Sequence, residues 1–517
     1  MIEPEIFLGP PGSGKTTTLL DVVDAELAAG TEPERIGFFS FTQKAAREAA
    51  ERACARFSLE RSRFQYFRTL HSMCFRSLGL TGGDVLAGAR FQEFADWCGI
   101  RVTGRAWSDD GLLEGFEVGD RMLFMENLAR IQEVPLRALY DEGDDGLEWR
   151  EVDRVSRALA EFKASRGLLD YTDMLSEFVR KRPRVSIDVL IVDECQDLSK
   201  LQWRVVETMA RGARRVVTAG DDDQAIYRWA GAAVDYFIGM RGRSSVLGQS
   251  WRCPPAVQLL SNEIISGVRH RRPKQWRARD GEEGRFARSR EFGDVDVDDA
   301  WAEDDRDHQR PPVLVLARNV YLLRRDVEPL LRAQGIVYES STGKSSLDLT
   351  ALEAAESWTR LGKGEEISVA AARKMYEFLP ANTGVRRGHK KLPKFDETDT
   401  VGGAELAQFG GLLTSLRTPW HEALTRVSPE DVAYMRAARR RGERLRSRPR
   451  VRISTIHSAK GGEADHVVLL TEMAARTYRE MERNPDDERR VFYVGVTRAR
   501  RKLTAVDARE GRYCPWI

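Results

Sequence analysis

"EIFLGPPGSGKTTTLL", residues 5–20, is the stretch from which the fold follows. Ile6, Phe7 and Leu8 form a short apolar run that reads as a buried strand, and Thr16 to Ala28 has helical composition. Between them Gly9-Pro10-Pro11-Gly12-Ser13-Gly14-Lys15-Thr16 satisfies G-x-x-x-x-G-K-[ST]. Strand, glycine-rich loop and helix in this order make a phosphate cradle. The glycines let backbone N–H groups turn inward, Lys15 neutralises the β and γ charges, and the Thr16 hydroxyl, followed by Thr17, reaches Mg2+. A nucleotide with its magnesium is therefore expected, but the loop does not say what the energy is used for.

Further apolar runs extend the pattern. "IGFFSFT" (36–42), "VLIVDE" (189–194) and "RVVTAG" (215–220) read as strands of a parallel sheet buried on both faces. "PVLVLAR" (312–318), "GIVYES" (335–340), "VRISTIH" (451–457), "HVVLLTE" (466–472) and "KLTAVD" (502–507) read as a second such sheet. The fold class is α/β, with two parallel-sheet cores that each carry a mostly helical insertion. The expected divisions are 1–75 with 166–255 for the first core, around an insertion at 76–165, and 256–344 with 450–517 for the second, around 345–449.

At the end of its strand, "VDECQD" (192–197) supplies the carboxylates that a phosphate loop requires. Asp193 is expected to hold the metal with Thr16, and Glu194 to orient and deprotonate the attacking water. Gln196 and Asp197 exceed that requirement.

Composition narrows the class. With 42% hydrophobic and 31% charged residues and no apolar run near the roughly 20 residues of a membrane span, a soluble protein is expected. No secretory leader is visible, and Cys54, Cys74, Cys98, Cys195, Cys253 and Cys514 lack CxxC pairing, so a reducing cytoplasm is expected rather than a disulfide or zinc scaffold. A net charge of +2 announces no nucleic-acid partner. Locally, 269–279 and 436–452 are strongly basic and 291–307 strongly acidic; each is read either as a solvated face or linker or, if beside a binding path, as a contact to DNA phosphates.

Read in order, "FFSFTQKAAREAAER" (38–52), "RTLHSMCFRSLG" (68–79), "GLLDYTDML" (167–175), "DECQD", "AGDDDQAIYRWAGA" (219–232), "QSWRCP" (249–254), "STIHSAKGGEADHVVLL" (454–470) and "VFYVGVTRAR" (491–500) resemble the motifs of the UvrD/Rep/PcrA group of superfamily 1 DNA helicases. The resemblance covers both cores and is weak across the insertions. It implies two RecA-like cores with ATP in the cleft between them. Lys15, Thr16, Asp193, Glu194 and the γ-phosphate sensor Gln224 would come from the first core, and the arginines Arg252 and Arg498 from the second. By the same resemblance Glu463 lies near the ribose, and Trp251 stacks on adenine where the family usually has tyrosine.

The resemblance further implies a single-stranded DNA track, with Trp229 as the leading aromatic, Phe41, Thr42 and His71 behind it, Thr455 nearby, and His457 coupling track to nucleotide. The implied activity is ATP-dependent 3′ to 5′ translocation and unwinding at single-strand/duplex junctions, among repair or replication proteins and the nucleoid. Two other readings stay open: a translocase that strips proteins from DNA with little unwinding, and a nucleotide-gated DNA-binding scaffold. Three departures stand out. Few residues precede the first strand and none is Gln, Ala230 stands where arginine is common, and Gly462 where leucine is usual.

Overall fold

A computed structural model of the chain describes residues 3–103, 117–143, 146–298, 312–392 and 394–517. Of the acidic stretch 291–307, residues 299–307 lie outside the described residues. The chain divides into two compact units. The first comprises Met1–Gly284, Arg479–Thr497 and Trp516, and the second Arg285–Tyr478, Arg498–Pro515 and Ile517.

The first unit is built on β1 (Glu5–Leu8), β2 (Ile36–Phe39), β3 (Phe67–Arg68), β4 (Val189–Val192), β5 (Arg215–Gly220) and β6 (Arg243–Val246). They form one sheet in the order β3-β2-β4-β5-β1-β6, and every pairing is parallel. β2 and β4 are buried along their whole length, because helices cover both faces of the sheet. Registers align Leu8 with Gly220, Phe39 with Val192 and Val192 with Thr218. The segments after β1, β2, β4 and β5 therefore leave the sheet along one carboxyl edge, the edge at which open α/β sheets bind ligands. β3 and β6 lack an apolar signature in the sequence. β3 has two residues, and β6 is "RSSV" at the sheet edge, exposed throughout.

The second unit holds β7 (Arg285–Ser289), β8 (Val313–Ala317), β9 (Tyr338–Glu339), the short antiparallel pair β10 (Ile367–Ser368) and β11 (Thr400–Val401), β12 (Val451–Thr455), β13 (Ala464–Leu470) and β14 (Ala499–Val506). Its main sheet is also parallel, ordered β7-β14-β13-β8-β12-β9. Both units are thus RecA-like α/β cores. Helices dominate the segments that interrupt them: Ala89–Cys98, Val118–Gln132, Leu136–Glu142 and Trp149–Arg166 in the first, Leu349–Gly362, Val369–Phe378 and Pro429–Arg441 in the second. Among the described residues no helix is long and apolar enough to cross a membrane.

Candidate nucleotide site and strand track

The loop after β1 is pinned at both ends. Gly9 N–H donates to the Gly220 carbonyl at 3.0 Å, and the helix Lys15–Ala28 begins at Gly14, whose φ of 80° only glycine adopts without strain. Lys15 Nζ folds back to the Gly9 carbonyl at 3.0 Å, so the ammonium spans the mouth of the loop. A Cβ at Gly12 would lie 2.3 Å from Arg252 Cβ, which shows how closely "QSWRCP" is applied to the loop.

That contact is organised by a residue to which the motifs assign no role. Ser250, fully buried, donates from Oγ to the Pro11 carbonyl at 2.7 Å and accepts the N–H groups of Arg252 and Cys253 at 3.2 and 3.1 Å. Trp251 N–H donates to the Gly12 carbonyl at 2.8 Å, while the indole stays 67% exposed, free to offer a face to a planar ligand. Arg252, which the resemblance assigns to the second core although the expected division at 255 leaves it in the first, belongs to the first unit with the loop it touches. The turn that carries it is bonded to the loop backbone, and this places it there.

Across the edge, Thr16 Oγ1 and Asp193 Oδ2 are 3.5 Å apart. Burial, and after it the charge of Glu194, push the Asp193 carboxyl up to about 7, against the pull of Lys15. A buried carboxylate beside a hydroxyl is a hard oxygen donor set, which suits Mg2+ held by one or two protein groups together with substrate phosphates. Among the described residues no group of three or more His, Cys, Asp or Glu side chains forms a metal cage, and such a phosphate-bridged ion needs none.

Glu194 has φ 52° and ψ 42°, a left-handed conformation costly for a non-glycine residue. Its side chain is held by Gln196, whose Nε2 donates to Glu194 Oε2 at 2.6 Å while its Oε1 accepts Asp221 N–H at 2.9 Å. Gln224 Nε2 in turn donates to Asp221 Oδ2 at 2.6 Å. The extra polar residue of "DECQD" thus ties the end of β4 to the end of β5, and through Asp221 to Gln224.

The same edge leads into a cavity of about 460 Å³ between the sheet and its helical insertion, lined by Phe41, His71, Phe75, Leu123, Tyr171 and Tyr227 among others. Phe41 stacks on Tyr227 with centroids 5.8 Å apart, and His71 meets Tyr171 edge-on at 6.0 Å. Ala230, where arginine is common in the family, also lines it. Trp229 is 44% exposed beside Phe124, at 6.2 Å. Thr42 is the N-cap of the helix Gln43–Phe57, accepting Ala45 N–H at 3.1 Å. Tyr171, Tyr227 and Phe124 are not among the expected track residues. Tyr227 is legible in "IYRW", whereas Phe124 lies on the insertion helix and carries no local signal.

In the second unit the expected residues sit at opposite edges of the sheet. Ala464 pairs with Ala499, so Glu463 and Arg498 sit side by side at the amino ends of β13 and β14. Arg498 Nη1 donates to the Gly462 carbonyl at 3.2 Å, and Glu463 pairs with Arg500 at 3.2 Å. Thr455 ends β12 at the carboxyl edge, where its hydroxyl accepts Ser458 N–H, and His457 lies in the turn that follows.

In both basic stretches some of the cations are paired internally. In 269–279, Arg271 is bidentate to Asp223 and Lys274 reaches three aspartates. In 436–452, Arg446 pairs with Glu356, Arg448 with Glu339, and Arg441 and Arg450 with Asp298.

The chain is similar in sequence to known proteins. The UvrD/REP helicase N-terminal domain matches residues 3–243 and the UvrD-like helicase C-terminal domain residues 432–510, together more than half of the chain. The ATP-dependent DNA helicase PcrA of Leuconostoc citreum is 26% identical over 53% of this chain and 38% of its own length, and Rep of Escherichia coli K12 25% over 51% and 39%. DNA helicase II of Haemophilus influenzae is 23% identical over 96% of this chain and 81% of its own. The matches to PcrA and Rep thus span about two fifths of those proteins. With both of its domain patterns present in order, the first of them containing the phosphate loop, the chain belongs to the UvrD/Rep helicase family.

Proposed function

We propose that this protein is a DNA-dependent ATPase that moves 3′ to 5′ along single-stranded DNA and separates duplex at single-strand/duplex junctions. The observation that carries the reading is the short run from Gln224 to Trp229. Its first residue is bonded into the cluster beside Glu194, its fourth, Tyr227, walls the aromatic cavity, and its last, Trp229, stands exposed. One turn thereby joins a phosphate-sensing amide to a base-stacking surface.

In this reading Lys15 and the loop N–H groups bind the phosphates of ATP, and Trp251 stacks on the base, with Glu463 near the ribose. Thr16 and Asp193 would hold Mg2+, which when bound offsets charge on the transferring phosphoryl group. Glu194 takes the proton of the attacking water, with Gln196 holding its carboxylate in place. Arg252 comes from the loop's own unit, and both it and Arg498 are assigned to the γ-phosphate by the family resemblance. The strand is gripped by stacking on Phe41, Tyr227 and Trp229, with His71, Thr42, Thr455 and His457 along it, a mode that tolerates any sequence. Nucleotide drives stepping to the extent that it binds one arrangement of the units better than the other. The setting is a reducing cytoplasm, at the nucleoid, with repair or replication proteins as partners.

The test is unwinding of duplexes bearing a 3′ or a 5′ tail, with ATP and with GTP, alongside DNA-stimulated phosphate release. Unwinding of the 3′-tailed duplex is expected. Displacement of a bound protein without unwinding would favour a stripping translocase, and hydrolysis indifferent to DNA and RNA would sink the reading.

A further inference from the structure

The basic stretch 269–279 carries a lysine with an unusual setting. The Lys274 side chain is 1% exposed, and its ammonium lies 3.1 Å from Asp221 Oδ1 and 3.0 Å from Asp223 Oδ2, with Asp222 Oδ1 also in contact. The three aspartate side chains are themselves no more than 2% exposed. Three successive carboxylates on one buried turn repel one another, and a cation in their midst offsets that repulsion. Burial alone would lower the Lys274 ammonium, but Asp221, Asp223 and Asp222 together raise it above its ordinary range.

Other bonds converge on the same turn. Arg271 is bidentate to Asp223, Arg272 N–H donates to Asp222 Oδ2 at 2.8 Å, and the fully buried Arg490 donates from Nε to the Asp222 carbonyl at 3.0 Å. Asp221 accepts from Gln224 Nε2 and donates its own N–H to Gln196 Oε1. Tyr227 and Trp229 follow on the same piece of chain, and the helix Pro485–Val496 that bears Arg490 runs out at Thr497, one residue before Arg498.

We propose that Lys274 is a positioning residue that locks the Asp221–Asp223 turn, so that Gln224 at one end and Tyr227 and Trp229 at the other move as one body, coupling strand occupancy to hydrolysis. The inference rests on the helicase reading above. It assigns the lysine no contact with nucleotide or DNA, so its removal affects the communication between the two sites more than either affinity.

The experiment uses the full chain and compares wild type with Lys274→Met, and with Lys274→Met combined with Asp222→Asn. The second variant keeps the charge balance of the cluster while removing the bridge. Thermal melting, KM for ATP, and kcat with and without single-stranded DNA are measured for each. In the double variant, basal kcat and KM are expected to stay near wild type while stimulation by DNA falls by about tenfold. Lys274→Arg, which keeps a cation at the turn, is expected to restore part of the stimulation. If a folded double variant is stimulated as strongly as wild type, the inference is overturned alone. If wild type shows no stimulation, the helicase reading falls and takes the inference with it. Loss of cooperative melting in both variants would assign the lysine to stability only and likewise overturn it.

Discussion

Ser250 Oγ donates to the Pro11 carbonyl at 2.7 Å across 239 residues of chain, and this bond fixes the phosphate loop against the turn that carries Trp251 and Arg252. Replacing Ser250 with Ala leaves one buried carbonyl and two N–H groups without their partner, at a cost of about 1–3 kcal/mol. Urea denaturation is expected to show that loss, and KM for ATP to rise with it. An unchanged midpoint with an unchanged KM would refute the clamp.

Glu194→Gln keeps shape and neighbours but cannot take a proton. Hydrolysis is expected to fall by about 10²–10⁴-fold, the usual contribution of a general base. Nucleotide binding, followed with a fluorescent analogue, is expected to persist. Equal loss of binding and turnover would instead place Glu194 in the phosphate contacts.

Trp229→Ala is expected to weaken single-stranded DNA binding by about 1–3 kcal/mol, as for one lost base stack. The loss should be similar on dT and dA oligonucleotides in anisotropy titrations, since stacking tolerates sequence. A loss confined to one base would point to an edge-reading role.

Asp170, 1% exposed, receives Arg130 Nη2 at 2.7 Å and Lys163 Nζ at 2.6 Å. Burial alone would raise its carboxyl, but Arg130 and Lys163 hold it far below the ordinary aspartate range. The unfolded chain then takes up the proton first, so this stabilisation is complete above about pH 4 and is lost as pH falls towards the lower folded value. Glu126, in the same cluster, is raised by burial and opposes part of the effect. Asp170→Asn is expected to cost about 3–5 kcal/mol at neutral pH and to flatten the acid limb of a stability–pH profile. A parallel limb in the variant would contradict the assignment.

Arg446 and Arg448 stand in a strongly basic stretch, yet each is paired, with Glu356 at 2.7 Å and with Glu339 at 2.9 Å. Changing both to Gln is expected to leave the salt dependence of DNA binding unaltered. Two lost phosphate contacts on a single strand would instead lower the slope by about 1.4.

Much of the site is legible in the sequence because its chemistry is local. Loop glycines, Lys15 and Thr16 act within one turn of backbone, and Asp193 and Glu194 follow directly from a buried apolar strand. Both sheets are likewise legible wherever strands are continuous apolar runs. β6 and β7 are not, because edge strands with polar faces carry no such run.

Pairing between distant charges leaves no local trace. The stretch 269–279 reads as a solvated or DNA-facing basic face, and only the fold shows Lys274 buried among three aspartates about fifty residues away. The contact of Arg252 with the phosphate loop is a similar case, since it follows from hydrogen bonds made by Ser250.

By itself the sequence determined the α/β class, the nucleotide loop and the family, since each depends on residues close in the chain or on the order of short motifs. Only the tertiary structure decided which charges are spent inside the protein and which residues share an edge. Those outcomes depend on parallel registers that bring Leu8, Phe39, Val192 and Gly220 to one level, and on the high cost of leaving buried ions unpaired, and neither is written in any single segment.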